Sequence, residues 1–221
     1  MIEGGRTVAI LKKTSKNSSI VPSSVSGATE NFLRKLEERT GRPIVVKNSH
    51  IPTGIAILIV DCSGSMAGEK LRDAMDGCMG FSRDAIAKDY AVGVISFSDS
   101  WSWVLRPSRE VSEIGAAVHS LSADGLTNLA GAVAGAHEQL RLPVRLKAIV
   151  VFTDGHVGDS RESISAIQAL RRDGIDVIAI GTEDADRHFI ESIASRSELA
   201  VATTTKQISG AIRSAAKLLS S

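Results

Sequence analysis

Six apolar residues, Ile55-Ala56-Ile57-Leu58-Ile59-Val60, run without a polar break into Asp61-Cys62-Ser63-Gly64-Ser65. A run this short, rich in β-branched side chains and set between Gly54 and a polar loop, reads as a strand buried on both faces. A strand with no wet face needs a layer packed on each side of its sheet, and few folds supply that. Lys147 to Thr153 repeats the pattern and ends at Asp154. The spacing of apolar residues predicts strands over 55–60, 90–97, 147–153, 176–180 and 199–202, with a short edge strand over 103–106. It predicts helices over 69–88, 114–121, 128–142, 161–172, 186–195 and 206–219. On the first helix Leu71, Met75, Cys78, Met79, Ser82 and Ile86 mark the expected buried stripe. Strands alternating with helices imply an α/β fold, with a doubly wound, mostly parallel sheet flanked by helices and one antiparallel edge strand.

The 221 residues suit one sizeable domain with an extension, and at 43% hydrophobic and 4% aromatic the core must rest on aliphatic side chains. No apolar run approaches the roughly 20 residues that cross a bilayer. The N-terminal Met1-Ile2-Glu3-Gly4-Gly5-Arg6 lacks the apolar core of a secretory signal, and Cys62 and Cys78 are read as free thiols of a cytoplasmic chain. Charge divides the sequence. Residues 1–50 hold nine Lys or Arg against four acids, whereas the remainder holds 17 against 21. Residues 1–50 are therefore read as a basic N-terminal extension, with a possible strand over 6–13, a Ser-rich linker and a helix over 29–39, and residues 51–221 as the main domain. A basic arm can contact nucleic acid, but its charges carry no interleaved stacking aromatics, so that reading is set aside.

In a parallel sheet the main strands deliver their C-terminal loops to one edge, where open α/β sheets bind ligands. Three such loops carry carboxylates or hydroxyls: Asp61/Ser63/Ser65, Gly125-Leu126-Thr127-Asn128, and Thr153-Asp154-Gly155. All of these donors are oxygens, with neither thiolate nor imidazole. That set suits a hard divalent cation such as Mg²⁺ and speaks against zinc. Neutral hydroxyls add little charge, so the ion stays electrophilic and favours an external carboxylate. No positioned base or nucleophile accompanies the loops, which favours binding over hydrolysis. Two other readings fail on spacing. Glu69 separates Gly68 from Lys70 and Leu71 stands where a phosphate loop needs Ser or Thr. Ser63 stands where phosphatases of the haloacid dehalogenase type carry a second acid.

Asp61-x-Ser63-x-Ser65-Met66, Thr127 in Gly-Leu-Thr-Asn-Leu and Asp154 in Phe-Thr-Asp-Gly stand in this order, the first and last directly after a predicted strand. In this the chain closely resembles, over residues 52–221, the von Willebrand factor type A domain with a metal-ion-dependent adhesion site. The resemblance implies a Rossmann-like sheet. It further implies that Ser63 and Ser65 ligate Mg²⁺ directly, with Mn²⁺ or Ca²⁺ as substitutes. Thr127 would ligate directly in the ligand-bound state, and Asp61 and Asp154 largely through water. The family's role is protein binding, with the partner supplying an Asp or Glu carboxylate. The resemblance is to prokaryotic-type stand-alone members, some of which work beside AAA+ ATPases in chelatase or assembly systems, so such an ATPase is one expected partner. Trp101, Asp99, Asp124 and His156 are candidates for the partner-binding rim, Asp159 for tuning its negative field, and Trp103 is expected to pack inward.

Overall fold

The computed structural model describes residues 51–141, 143–154 and 157–220. The expectations for residues 1–50, and for His156, lie outside the described residues. Pro52–Ser221 forms one compact unit. Its sheet contains β1 (Gly54–Asp61), β2 (Tyr90–Phe97), β3 (Trp101–Ser108), β4 (Leu146–Thr153), β5 (Asp176–Thr182) and β6 (Ala200–Thr203), in the order β3-β2-β1-β4-β5-β6. Every neighbouring pair is parallel except β2 and β3, which run antiparallel. The edge strand is longer than the sequence suggests, because its pairing with β2 continues across register shifts that a run of regular alternation does not reveal.

The helices are α1 (Glu69–Ala87), α2 (Val111–His119), α3 (Ala130–Gln139), α4 (Ser160–Arg172), α5 (Arg187–Ile193) and α6 (Ile208–Ala215). Right-handed crossovers put α1 on one face of the sheet and α4 and α5 on the other, because the chain moves in opposite directions from β1. The packing agrees: α1 lies against α6 and α2, whereas α4 lies against α3 and α5. With both faces covered, every residue of β1 is buried, as the unbroken apolar run requires.

Helix α1 departs from the expected stripe. Leu71, Cys78 and Ser82 are buried, but so are Ala74, Phe81 and Ala85, while Met75, Met79 and Ile86 are only partly buried against the core. The helix meets the sheet and α6 together, so its covered face is wider than the expected stripe and takes in Phe81 and the small residues beside it. Ser82 is accommodated there by donating its hydroxyl to the Cys78 carbonyl at 2.7 Å. The last helix is also shorter than expected, a single α-segment with a 3₁₀ turn at each end, Thr205–Gln207 and Ala216–Leu218.

Candidate metal centre

Strand order reverses at β1. From β1 the chain builds outward through β2 and β3, then returns to lay β4, β5 and β6 on the other side. The connections therefore diverge between the carboxyl ends of β1 and β4, which opens a crevice at that edge. Asp61 is the last residue of β1, and Asp154 is the first residue past β4.

The side chains of the two ends interlock. Asp61 is fully buried and accepts the Ser63 backbone N–H on Oδ1 at 2.8 Å and the Thr153 hydroxyl on Oδ2 at 2.6 Å. Burial pushes the Asp61 carboxyl up, against the lowering effect of these hydrogen bonds. Ser65 donates its hydroxyl to Asp154 Oδ1 at 2.8 Å, and the Ser63 and Ser65 hydroxyl oxygens are 3.1 Å apart. Thr182, from the end of β5, donates to the Asp154 carbonyl at 3.2 Å. Ser63 Oγ, Ser65 Oγ and Asp154 Oδ1 thus form a chain of oxygens. Neighbouring vertices of an octahedron with arms of about 2.0–2.1 Å lie about 2.9 Å apart. The 3.1 Å spacing of the two serine hydroxyls therefore also suits neighbouring ligands of a Mg²⁺-sized ion, with Asp154 accepting from Ser65 beside them. Among the described residues no group of three or more His, Cys, Asp or Glu side chains gathers as a metal cluster, so a cation held at this edge would need hydroxyls among its ligands.

The remaining loops are tied to this pair by backbone. Asp124 N–H reaches the Cys62 carbonyl at 2.8 Å and Gly64 N–H reaches the Gly125 carbonyl at 3.0 Å, which docks the Thr127 loop on the Ser63 loop. Gly158 N–H then reaches the Thr127 carbonyl at 2.8 Å, and Asn128 N–H reaches the Ser98 carbonyl at 2.9 Å. The half-buried Thr127 is held at this edge by its neighbours' backbone. Gly125 has φ +79°, and a Cβ there would collide with the Asp99 carboxylate, so glycine is required for the close approach.

The rim residues divide by what they hold. Asp99 Oδ1 accepts Leu126 N–H at 2.8 Å and Asp124 Oδ1 accepts Gly125 N–H at 2.8 Å, so both exposed carboxylates shape the Thr127 loop. Asp159 accepts Leu129 N–H at 2.9 Å and Ala130 N–H at 2.8 Å, closing the first turn of α3 from another loop. It is a cap rather than a residue that only tunes the field of the rim. Trp101 lies against Gly131 and Gly135 of α3 and remains 39% exposed. Trp103 packs inward, with the Arg106 guanidinium stacked 4.4 Å from its ring centre.

Two further residues stand at this edge that the motifs did not single out. Lys70 Nζ lies 2.6 Å from Asp154 Oδ2 and 3.3 Å from Asp184 Oδ2, and Asp154 beside it holds the ammonium pKa up. A cation in the first turn of a helix runs against the macrodipole, which favours acids there, and that mismatch was the available signal that a carboxylate faces it. Leu126 is 71% exposed on the tip of the Thr127 loop. An apolar residue between Gly and Thr in a ligand-bearing loop was the corresponding signal.

Comparison with known proteins agrees with this fold. The model of the von Willebrand factor type A domain family matches residues 56–214. Inter-alpha-trypsin inhibitor heavy chain H3 from Homo sapiens is 31% identical over 135 residues, which is 55% of this chain and 14% of that protein. The chain thus corresponds to about one seventh of the length of that relative. Among solved structures, the vWF domain of the type V pili tip protein Mfa5 from Porphyromonas gingivalis superposes with a TM-score of 0.70 at 10% identity, covering 76% of this chain and 95% of that one. Proximal thread matrix protein 1 from the mussel byssus superposes with a TM-score of 0.58 at 19% identity, over 74% of this chain and 46% of that one. That structure has a zinc-occupied metal-ion-dependent adhesion site, so the motif in that protein accepts zinc although an all-oxygen donor set disfavours it.

Proposed function

The chain belongs to the von Willebrand factor type A domain family, and from that premise we propose that the carboxyl edge of its sheet is a divalent-cation-dependent protein-binding site. Domains of this family are interaction modules that are often metal-dependent. The observation that carries the reading is the oxygen chain Ser63 Oγ, Ser65 Oγ and Asp154 Oδ1, spaced at 3.1 and 2.8 Å between the ends of two adjacent strands. Ser63, Ser65 and Thr127 would hold Mg²⁺, with Mn²⁺ or Ca²⁺ as substitutes, while Asp61 and Asp154 supply charge through bound water. When bound, the ion offers a strong Lewis-acid contact to one carboxylate of a partner protein, an Asp or a Glu. Around that contact the exposed Leu126 and the open edge of Trp101 provide apolar surface, the kind of neighbour that keeps water from a charged anchor.

Residues 52–221 suffice for this site in the proposal, with residues 1–50 as a separate extension. The chain's free, buried Cys62 and Cys78 fit a reducing, cytoplasmic setting. Among the described residues no helix is long and apolar enough to cross a membrane.

The test is thermal unfolding with and without Mg²⁺ or Mn²⁺. Wild type should gain stability on adding metal, as any ligand selective for the native state requires, and the double variant Ser63→Ala/Asp154→Ala should not. Equal gains in both would contradict the site. Pull-down with and without chelator then identifies the partner, and metal-dependent turnover of a generic phosphoester that disappears in Asp61→Ala would replace binding with hydrolysis.

A further inference from the structure

The site holds a fixed positive charge of its own. Lys70 enters from the first turn of α1 and places its ammonium 2.6 Å from Asp154 Oδ2, while Ser65 takes Oδ1 of the same carboxylate. The Asp154 side chain is fully buried and that of Lys70 is 23% exposed, so their charges act through poorly screened space. On its other side the ammonium faces Asp184, which is 63% exposed and 3.3 Å away. Resting on the metal-site reading above, we propose that Lys70 is a specificity-determining residue that weakens the hold of the site on a lone divalent ion and strengthens its hold on an ion accompanied by a carboxylate.

Asp61 and Asp154 bring two negative charges to the crevice, and Lys70 offsets one of them. Among these three side chains a divalent ion then leaves one positive charge in excess, one more than it would without Lys70, and an incoming carboxylate meets that charge. Without Lys70 the ion alone would neutralise the centre, and the same carboxylate would leave it negative. Lys70 therefore penalises the metal and rewards the anion. Because coupling between two ligands is reciprocal, a carboxylate must in turn tighten the metal. Asp184 moderates the effect, since it draws on the same ammonium and adds a negative charge beside the crevice.

A purely structural role makes the opposite forecast. If Lys70 serves only to hold Asp154 in place, removing its charge misplaces a ligand and weakens metal binding.

Calorimetric titration of the full chain with Mn²⁺ alone, and then with Mn²⁺ in the presence of acetate as the carboxylate probe, separates the two. Lys70→Met should bind Mn²⁺ about tenfold more tightly than wild type, the scale expected for removing a nearby like charge. Lys70→Arg should stay within about twofold of wild type, and Asp184→Asn should bind several-fold more weakly. Acetate should tighten Mn²⁺ in wild type and do so less in Lys70→Met. Unchanged or weaker binding by Lys70→Met overturns the inference and leaves the metal site standing. If Lys70→Met does not fold by circular dichroism, Asp184→Asn decides, and unchanged affinity there overturns the inference. Absence of Mn²⁺ binding in wild type overturns the metal-site reading itself, and this inference with it.

Discussion

Thr153 and Asp61 stand 92 positions apart in sequence and share a 2.6 Å hydrogen bond at the ends of adjacent parallel strands. The bond joins the two halves of the sheet at the point where strand order reverses. It also gives the buried Asp61 Oδ2 a donor, as the Ser63 backbone N–H does for Oδ1. Thr153→Val preserves the shape of the strand and removes that donor. Stability to urea should fall by about 1–3 kcal/mol, the usual cost of depriving a buried polar group of its partner. A loss within about 0.5 kcal/mol would mean that another group takes over the oxygen.

Asp159 supplies the clearest case of one loop stabilising another. Its two oxygens accept the N–H groups of Leu129 and Ala130, which as the first donors of α3 have no partner within the helix. Asp159→Ala should cost about 1–2 kcal/mol, as for loss of a helix cap. Asp159→Asn, which keeps one acceptor oxygen, should cost less. Because Thr127 lies two residues before Leu129, Asp159→Ala should also reduce the metal-induced rise in melting temperature. Retention of the full rise would show that the Thr127 loop is held by its own backbone contacts alone.

Most of this architecture was legible because it rests on patterns that burial imposes on sequence. A strand covered on both faces has no room for polar residues, so β1 and β4 announced themselves, and the parallel sheet followed from them. The loops that end these strands were equally legible, since Ser63, Ser65 and Asp154 are polar residues placed directly after buried runs. What the sequence concealed depends on pairing across space. Asp159 looked like a rim acid because nothing local reveals that its oxygens reach a helix about thirty residues back. Asp99 likewise hid its contact with Leu126, 27 positions away. Lys70 was noticed only for the spacing it lacked, and its partner Asp154 is 84 positions distant. The buried face of α1 was misplaced for a related reason: Gly77 and Gly80 carry no hydrophobic signal, yet α6, from a distant part of the chain, packs Ile212 and Arg213 against them.

Trp101 offers an optical report on the rim. Its indole occupies the space left by Gly131 and Gly135, where a Cβ at Gly131 would come within 2.5 Å of the ring. In an exposed helix Gly→Ala gains up to about 1 kcal/mol from propensity. Here the rigid ring must move, and overpacking of this kind costs about 1–3 kcal/mol, so the clash should win. Gly135→Ala should therefore lower stability and shift tryptophan emission to longer wavelength as the indole moves into water. A Trp103→Phe background isolates the Trp101 signal, since the chain has two tryptophans. Unchanged emission would place the ring elsewhere.

The two thiols set an upper pH limit on the fold. Burial pushes the Cys62 thiol up to about 12, with the Asp61 charge adding to the effect, and burial likewise pushes Cys78 up to about 12. In the unfolded chain both should ionise near the ordinary value of 9.0. Below pH 9 both states keep their protons, so the thiols impose no pH dependence. Between pH 9 and 12 the unfolded chain releases protons that the native chain retains, so rising pH favours unfolding by up to about 1.4 kcal/mol per pH unit for each thiol. Denaturation followed from pH 8.5 to 11 should therefore show stability falling with pH. Cys78→Ala should start lower because of its cavity, yet fall less steeply, by up to about 1.4 kcal/mol per pH unit above pH 9. A thiol-specific reagent should label neither cysteine of the native chain at pH 8 and both after unfolding. Parallel slopes in wild type and Cys78→Ala, or rapid native labelling of Cys62, would show that this end of the core admits water.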